Sequence, residues 1–285
     1  MQPNLGAVIS VVVPAWNAAA VLPRLLSALQ AQTIEHELVV VDAGSTDDTA
    51  AVAEAAGAHV VTAPQRNRSL ARNLGVAAAR GEALAFTDAD CVPAPRWAEA
   101  LAACLDSSPL ASGRVRIETT PRPNGAERFD LLWRYPQERY AAAGLGTGPN
   151  LGIRREAFDA VGGCDPRHHY GEDTDLCLRA ADAGFRLVWC PAAEVSHPAA
   201  TGLRAIARRG FEQGASARRL ARLHQGRVGR RYWTSPGGLF RRGAALRALS
   251  VDPVDDRGVE LAARVEYGGR MAGSLWAEVV RRAVR

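Results

Sequence analysis

The sequence predicts an α/β protein with a mostly parallel sheet, helices on both faces of that sheet, and an arginine-rich helical C-terminal extension. Short valine-rich runs alternate with stretches of helical spacing before residue 200, which indicates strands and helices in turn. The apolar runs are continuous, as expected for strands covered on both faces. Thr201 to Ser250 contains twelve arginines and one acid, Glu212. We therefore predict one domain over residues 1–200 and an extension over 201–285.

The first strand and the first two helices show how the elements are identified. Val8 to Val13 is a continuous apolar run, and we expect Pro14 to end it because proline has no N–H for the ladder. Leucines at helical spacing predict a helix over Ala20 to Gln30. Ser45, with Asp48 three residues later, predicts the N-cap of a second helix. The other elements predicted in this half are strands at Glu37–Val41, His59–Thr62 and Ala83–Thr87, and helices at Ser69–Ala79 and Pro95–Leu105.

Beyond Pro109 the alternation is less regular. Glu172 to Ala183 predicts a helix whose acidic first turn lies at the positive end of the helix dipole. An arginine-rich helix is expected after His197. The remaining predictions are a glycine-rich loop at Gly144–Gly148, strands at Asn150–Ile153 and Arg186–Trp189, a helix at Arg155–Val161 and a turn at Pro191–Ser196.

The composition is that of a folded, water-soluble protein. Hydrophobic residues make up 47% of the 285 positions and charged residues 23%, which excludes wholesale disorder. No apolar run reaches the ~18 residues of a membrane-spanning helix, and the first residues do not resemble a signal peptide. The five cysteines include no Cys-x-x-Cys pair, and their odd number argues against a disulfide framework. These features predict a reduced, cytoplasmic protein.

Polar residues follow three predicted strands at their carboxyl ends, where open α/β sheets bind ligands. Asn17 follows the first strand, and Asp42 follows the second, where it either contacts a base or ribose or stabilises a turn. Asp88 and Asp90 follow the fourth strand. Two carboxylates so close repel each other unless a cation offsets them, and such oxygen ligands suit Mg²⁺ or Mn²⁺. The first strand lacks a following G-x-G-x-x-G, which disfavours a dinucleotide-binding dehydrogenase.

A second acidic constellation precedes the late strand. Glu172 and Asp173 fit either an acidic helix start or a general base in a cleft. His197 becomes a candidate metal ligand if the Asp-x-Asp holds a cation, and is otherwise a surface or core residue.

Five ordered blocks, covering about residues 7 to 200, resemble the family 2 glycosyltransferases, which are inverting enzymes with a GT-A fold. The blocks are VISVVVPAWN, VVVDAGSTDDT, ARNLGVAAARGEALAFTDADC, GTGPNLGIRREAFDAVGGCD and GEDTDLCLRAADAGFRLVWCPAAEVSHP. The resemblance implies a nucleotide-sugar half over about 1–110 and an acceptor half over about 111–200. One departure from the family pattern is Ala43, which replaces the second aspartate of V-D-D-G-S.

The resemblance also implies roles for single residues. Asp173 matches the catalytic base, with Glu172 as the alternative. The implied donor-binding residues are Pro14, Ala15, Asn17, Asp42, Asp88 and either Arg68 or Arg72. The implied metal ligands are Asp88, Asp90 and His197, with Mn²⁺ or Mg²⁺ as the cation.

The expected reaction is transfer of one sugar from a nucleotide-diphosphate sugar, with UDP favoured over GDP, to a hydroxyl of a lipid-linked, saccharide or small-metabolite acceptor. The Q-x-x-R-W motif of processive members is absent, which favours a single transfer. The arginine-rich segment fits three interpretations: closure over the diphosphate by Arg204, Arg208 and Arg209, a solvated helix, or peripheral contact with the inner face of an anionic membrane. For most of these arginines a solvated or membrane-facing helix is favoured over closure.

The sequence favours three other functions less strongly. A non-catalytic member of the fold that binds nucleotides or partners is the main alternative, but it would not need Asp88, Asp90 and Asp173 all intact. A nucleotidyltransferase would be expected to have a lysine-rich phosphate loop, and the chain has no lysine. Nucleic acid is not an expected partner, because no binding motif or aromatic interleaving accompanies the arginines.

Overall fold

The computed structural model describes residues 9–134, 137–168, 170–224 and 261–272. The chain divides into two compact units. The first comprises Met1–Arg116 with Pro136–Pro198, and the second Ile117–Tyr135 with Ala199–Arg285. His169 and most of the predicted extension, residues 225–260 and 273–285, lie outside the described residues.

The first unit contains an eight-stranded sheet in the order β3 (His59–Thr62), β2 (His36–Asp42), β1 (Ile9–Ala15), β4 (Ala83–Phe86), β7 (Leu151–Arg154), β6 (Leu110–Glu118), β8 (Leu187–Pro198) and β5 (Val92–Pro93). Its first four strands are parallel. A helix follows each of the first three strands, and the short strand Val92–Pro93 lies between the fourth strand and its helix. The strands are β1 (Ile9–Ala15), β2 (His36–Asp42), β3 (His59–Thr62) and β4 (Ala83–Phe86), and the helices are α1 (Leu22–Gln30), α2 (Thr49–Ala55), α3 (Arg68–Ala78) and α4 (Trp97–Ser107). This half confirms the predicted α/β class.

Antiparallel pairs occur in the second half of the sheet, where β7 pairs with β4 and β6, and β5 pairs with β8. The strands are β5 (Val92–Pro93), β6 (Leu110–Glu118), β7 (Leu151–Arg154) and β8 (Leu187–Pro198), and the helices of this half are α6 (Gln137–Ala142), α7 (Arg155–Ala160) and α8 (Glu172–Asp182). The expected parallel arrangement therefore holds for the first half, and a mixed sheet completes the fold.

Close packing fixes the helices against the sheet. The four leucines that predicted α1 (Leu22, Leu25, Leu26 and Leu29) are all buried. Gly75 brings α3 onto the parallel strands, since a Cβ there would overlap Val12 of β1 and lie 3.0 Å from Val41 of β2. Helix α3 therefore lies directly over the two strands whose ends carry Asn17 and Asp42.

Pro14 does not end the first strand as predicted. Strand β1 continues through Pro14 to Ala15, which pairs with Asp42. The carbonyl of Val12 faces β4 and that of Ala15 faces β2. Successive residues of a strand direct their backbone polar groups to opposite sides, so the Pro14 nitrogen points towards β4. The β1–β4 ladder ends at the pair Val12 and Phe86, and Pro14 therefore removes no ladder hydrogen bond.

The predicted N-cap at Ser45 is also wrong. Helix α2 begins at Thr49, and its N-cap residue Asp48 makes no side-chain capping hydrogen bond. The N–H of Thr49 instead donates to Asp47 at 3.2 Å. The Ser45 hydroxyl instead accepts a hydrogen bond from the Asn17 N–H in the loop after β1, so Ser45 joins two loops and does not cap the helix.

Strands β8 and β6 differ from the predictions, and strand β5 and helix α6 were not predicted. The predicted turn Pro191–Ser196 lies inside β8, whose Val195 and Ser196 pair with β5. Strand β6 was not predicted, since its Ser112, Gly113 and Arg114 have little intrinsic preference for strands. Pairing with neighbouring strands, and not local sequence preference, therefore makes Pro191–Ser196 and β6 parts of the sheet.

A disulfide joins Cys104 of α4 to Cys190 of β8. The odd number and the spacing of the cysteines did not predict this bond, because its two cysteines are 86 residues apart in sequence. Helix α4 lies on β8, which brings the two together. Cys91, Cys164 and Cys177 are free and buried.

The second unit is helical and contains α5 (Gly125–Trp133), α9 (Leu203–Leu223) and a helix over 261–272, here called α10. Its core consists of Ala126, Phe129, Ile206 and Ala262. The buried Asp130 carboxylate accepts from the Ala200 N–H and from both terminal nitrogens of Arg209. Arg209, one of the arginines expected to close over the diphosphate, is thus bound to Asp130 within this unit. No described helix is both long and apolar enough to cross a membrane.

Candidate active site

The candidate site lies at the carboxyl ends of the parallel strands in the first unit. Asp42 ends β2 beside Ala15, the last residue of β1. Strand β4 ends at Phe86, two residues before Asp88. Because β1 lies between β2 and β4, the three predicted polar clusters leave the sheet at one edge.

Hydrogen bonds join the loop after β1 to the loop after β2. Asn17 has φ of 47°, a left-handed conformation that asparagine tolerates better than most residues. Its N–H donates to Ser45 Oγ and its side-chain oxygen accepts from the Thr46 N–H, both at 2.8 Å. Asp42 accepts from the Ser45 N–H at 3.1 Å, so this buried carboxylate also shapes the turn, as one of its two interpretations predicted.

Trp16 and Arg66 form a contact that the sequence interpretation missed. The Arg66 guanidinium carbon lies 3.9 Å from the centroid of the Trp16 ring, a cation–π geometry. Trp16 is 40% exposed, although large aromatic side chains usually pack inside. An aromatic residue directly after a strand at the ligand-binding edge was the available signal.

Arg72 connects the Asp-x-Asp to the acidic helix. This buried guanidinium pairs with Glu172 and lies 3.4 Å from Asp88 Oδ1. Burial alone would lower the pKa of Arg72, but Glu172 and Asp88 raise it above its ordinary value. Arg72 is therefore a fixed positive charge between the two acidic groups.

Arg68, one turn earlier on α3, is exposed. Desolvation opposes the charge on Arg68, whereas Asp88 and Glu172 favour it and leave its pKa raised. Of the two arginines predicted to approach the donor, Arg68 is exposed by its accessible area although nearby protein atoms partly desolvate its charge. Arg72 is buried and occupied by protein carboxylates.

Asp173 lies at the start of α8, after Gly171, whose φ of 78° begins the helix from the left-handed region. Its two carboxylate oxygens accept from the N–H groups of Gly148, at 2.8 Å, and Thr174, at 2.7 Å. Burial raises the pKa of Asp173, and the neighbouring Glu172 raises it further. A carboxylate with a raised pKa in such a setting suits proton transfer.

The predicted metal ligands divide between two places. His197 Nε2 lies 3.6 Å from Asp90 Oδ1, whereas the Asp88 carboxylate lies near Arg72. Within the described part of the chain, one group of three candidate ligand atoms lies within 4.8 Å of one another, and it comprises Asp90, Cys91 and His197. Cys91, which directly follows the Asp-x-Asp, is the member that the sequence interpretation missed.

The Asp90–His197 pair fits a divalent cation. His197 Nδ1 lies 2.8 Å from the Pro198 carbonyl oxygen, which can only accept, so Nδ1 donates. Nε2 is then the ring nitrogen whose lone pair can coordinate a cation, and it lies 3.6 Å from Asp90 Oδ1. Burial raises the pKa of Cys91 well above its usual value, which favours the thiol over a thiolate ligand.

Comparison with known proteins identifies the family. The model described as Glycosyl transferase family 2 matches residues 10–162, and that described as Glycosyl transferase family group 2 matches residues 131–220. A pre-mycofactocin glycosyltransferase of Mycobacterium tuberculosis is 31% identical over 94% of this chain. The match covers 58% of that relative, so the chain spans less than two thirds of its length.

Solved structures show the same fold. A mannosyltransferase from Pyrobaculum calidifontis, in complex with GDP-Man and Mn²⁺, has a TM-score of 0.65 at 18% identity, over 96% of this chain and 88% of its own. Glucosyl-3-phosphoglycerate synthase from Mycobacterium tuberculosis, in complex with Mn²⁺, UDP and glucosyl-3-phosphoglycerate, has a TM-score of 0.56 at 24% identity, over 76% and 80%. The predicted GT-A fold is confirmed, and the chain belongs to glycosyl transferase family 2.

Proposed function

We propose that the chain is an inverting glycosyltransferase that moves one sugar from a nucleotide-diphosphate sugar to an acceptor hydroxyl, with Asp173 as the general base. The observation that carries this proposal is the path from Asp88 through Arg72 to Glu172, the residue next to Asp173. It links a carboxylate of the donor side, through one buried guanidinium, to Glu172, the residue beside the proposed base.

The donor occupies the carboxyl edge of the parallel strands. Asn17 and Asp42 face the nucleoside with the backbone of Pro14 and Ala15, and the fixed geometry of their loops supports this assignment. Arg68 is the arginine that approaches the diphosphate, since it is exposed and positively charged. UDP remains the favoured nucleotide, with GDP as the alternative.

Asp90 and His197 would hold the Mn²⁺ or Mg²⁺ ion, and Asp88 is the third residue assigned to it. When bound, the ion supplies positive charge for the diphosphate leaving group. The 3.6 Å distance between His197 Nε2 and Asp90 Oδ1 supports this assignment.

Asp173 accepts the proton of the attacking hydroxyl. Glu172 is the weaker candidate, because its carboxylate is already paired with Arg72. The N–H groups of Gly148 and Thr174 fix the orientation of Asp173. Attack from the face opposite the leaving group inverts the anomeric carbon in a single displacement.

The first test is calorimetric titration of the protein with UDP and GDP, each with and without Mn²⁺. We expect Mn²⁺-dependent binding of one nucleotide, weakened at least tenfold in Asp90→Ala. The matched control is Asp159→Ala, on an exposed part of α7. If neither nucleotide binds under any condition, the donor assignment fails and the non-catalytic alternative takes its place.

The acceptor carries a hydroxyl and is lipid-linked, a saccharide or a small metabolite. Peripheral contact with an anionic membrane is part of the proposal, and exposed Arg204 and Arg208 on α9 support it. We expect partial sedimentation with phosphatidylglycerol vesicles at low salt and its loss at high salt, because screening weakens exposed charge interactions. Equal failure to sediment at both salt concentrations would remove membrane contact from the proposal.

A further inference from the structure

The segment between α7 and α8 has little regular structure, so its backbone polar groups need partners from elsewhere. Arg179 of α8 provides the first of them, donating to the carbonyls of Val161 and Gly163 at 2.5 and 2.8 Å. The start of the segment is thereby attached to the helix that carries Asp173.

Helix α3 provides the partners for the next part. The Asn73 side chain donates to the Cys164 carbonyl and accepts from the Cys164 N–H, both at 2.8 Å. The Asn73 side-chain amide thus satisfies both the N–H and the carbonyl of Cys164, as the backbone of a neighbouring strand would. The contact is tight, because a Cβ on Gly163 would lie 2.8 Å from Asn73 Oδ1.

Two further side chains of the same helix continue this pattern. Asn67, the N-cap of α3, also donates to the Pro166 carbonyl at 2.7 Å. The Ser69 hydroxyl donates to the His168 carbonyl at 2.8 Å. Both side chains are buried, where an unmade hydrogen bond is costly.

Helix α3 also contacts the start of α8, where its Arg72 pairs with Glu172. Helix α3 therefore carries the donor-side arginines and also holds the segment that leads to Asp173. A shift of α8 by about 1 Å is enough to misplace a base and slow a reaction about a hundredfold.

We infer that Asn73, together with Asn67 and Ser69, is a positioning residue that fixes the segment at residues 161–168 and thereby the place where α8 presents Asp173. The inference rests on the proposed function in assigning the base to Asp173. The hydrogen bonds themselves do not depend on that assignment.

The test compares Asn73→Ala with the wild-type protein by hydrogen–deuterium exchange and by kinetics. We expect amides of residues 161–175 to exchange at least tenfold faster in the variant. The kcat for release of UDP from UDP-glucose, or of GDP from GDP-mannose, should fall at least tenfold. The KM for the donor and the Kd for the free nucleotide with Mn²⁺ should stay within twofold.

Two more variants complete the design. Ser69→Ala removes one hydroxyl and should show the same pattern to a smaller extent, which keeps the test valid if Asn73→Ala does not fold. Arg80→Ala removes an exposed guanidinium, paired with the largely buried Glu37 beyond the other end of α3, and should leave exchange and kcat within twofold of the wild-type protein.

Unchanged exchange at residues 161–175 in both variants would overturn the inference, as would a loss of nucleotide affinity equal to the loss of kcat. A wild-type protein that binds neither nucleotide would instead contradict the proposed function. The exchange measurement needs no nucleotide, so it separates the two failures.

Discussion

At the scale of single residues, the proposed chemistry depends on the different environments of Glu172 and Asp173. Glu172 is neutralised by Arg72, whereas the partners of Asp173 are the N–H groups of Gly148 and Thr174. The sequence placed both acids at a helix start, and the family resemblance implied Asp173 as the base with Glu172 as the alternative. The partner of each, which only the structure supplies, favours Asp173.

Replacing the base gives the first prediction at this scale. Asp173→Asn should lower kcat by at least a hundredfold, in line with the usual contribution of a general base. The Kd for the nucleotide with Mn²⁺ should change little. Turnover measured as nucleotide release checks this, and a variant that keeps a tenth or more of the wild-type kcat would refute the assignment.

The same substitution tests the raised pKa of Asp173. Because the folded protein favours the neutral acid, the stability gained from protonating Asp173 is present at low pH and lost as the pH rises through its raised pKa. Asparagine stays neutral, so Asp173→Asn should melt at a higher temperature than the wild-type protein at neutral pH. That difference should shrink at acidic pH in thermal melts, and a variant less stable at neutral pH would contradict the direction of the shift.

At the scale of elements, α3 determines the geometry of the site. It lies over β1 and β2 through Gly75 and carries Arg68, Arg72 and Asn73. Helical spacing predicted this helix to within one residue of its observed bounds. Its partners across the fold were not predictable, because hydrogen-bonding side chains such as Asn73 carry no local signal of what they will bind.

Gly75→Ala tests the packing of this element. The new Cβ would overlap Val12, and overpacking of this kind costs about 1–3 kcal/mol of unfolding free energy. Gly268→Ala, in a helical position with open space around it, is the control and should stabilise by up to about 1 kcal/mol. Denaturant unfolding measures both, and equal effects of the two substitutions would show that the contact is not tight.

At the scale of the whole molecule, the disulfide between α4 and β8 ties two distant parts of the chain together. The other three cysteines are buried, and burial raises the pKa of Cys164 and Cys177 to about 12. Neither the disulfide nor this burial could be deduced from cysteine spacing, since both depend on how the second half of the sheet assembles.

Thiol titration with a disulfide-exchange reagent tests this arrangement. The native protein should show almost no reactive thiol, because the free cysteines are buried and protonated. Unfolding without a reductant should expose three thiols, and reduction should raise the count to five. Five thiols in the unreduced, unfolded protein would show that Cys104 and Cys190 are not bonded.

The sequence by itself determined what local patterns can encode: the alternating strands and helices of the parallel half, and the polar residues at the strand ends. Tertiary structure alone decided the antiparallel half, the disulfide, and the partners of Arg72 and Asn73. The physical reason is distance along the chain, since Arg72 meets Glu172 across 100 residues and Asn73 meets Cys164 across 91. Such contacts depend on loop closure and on packing across the sheet, which no local window of sequence contains.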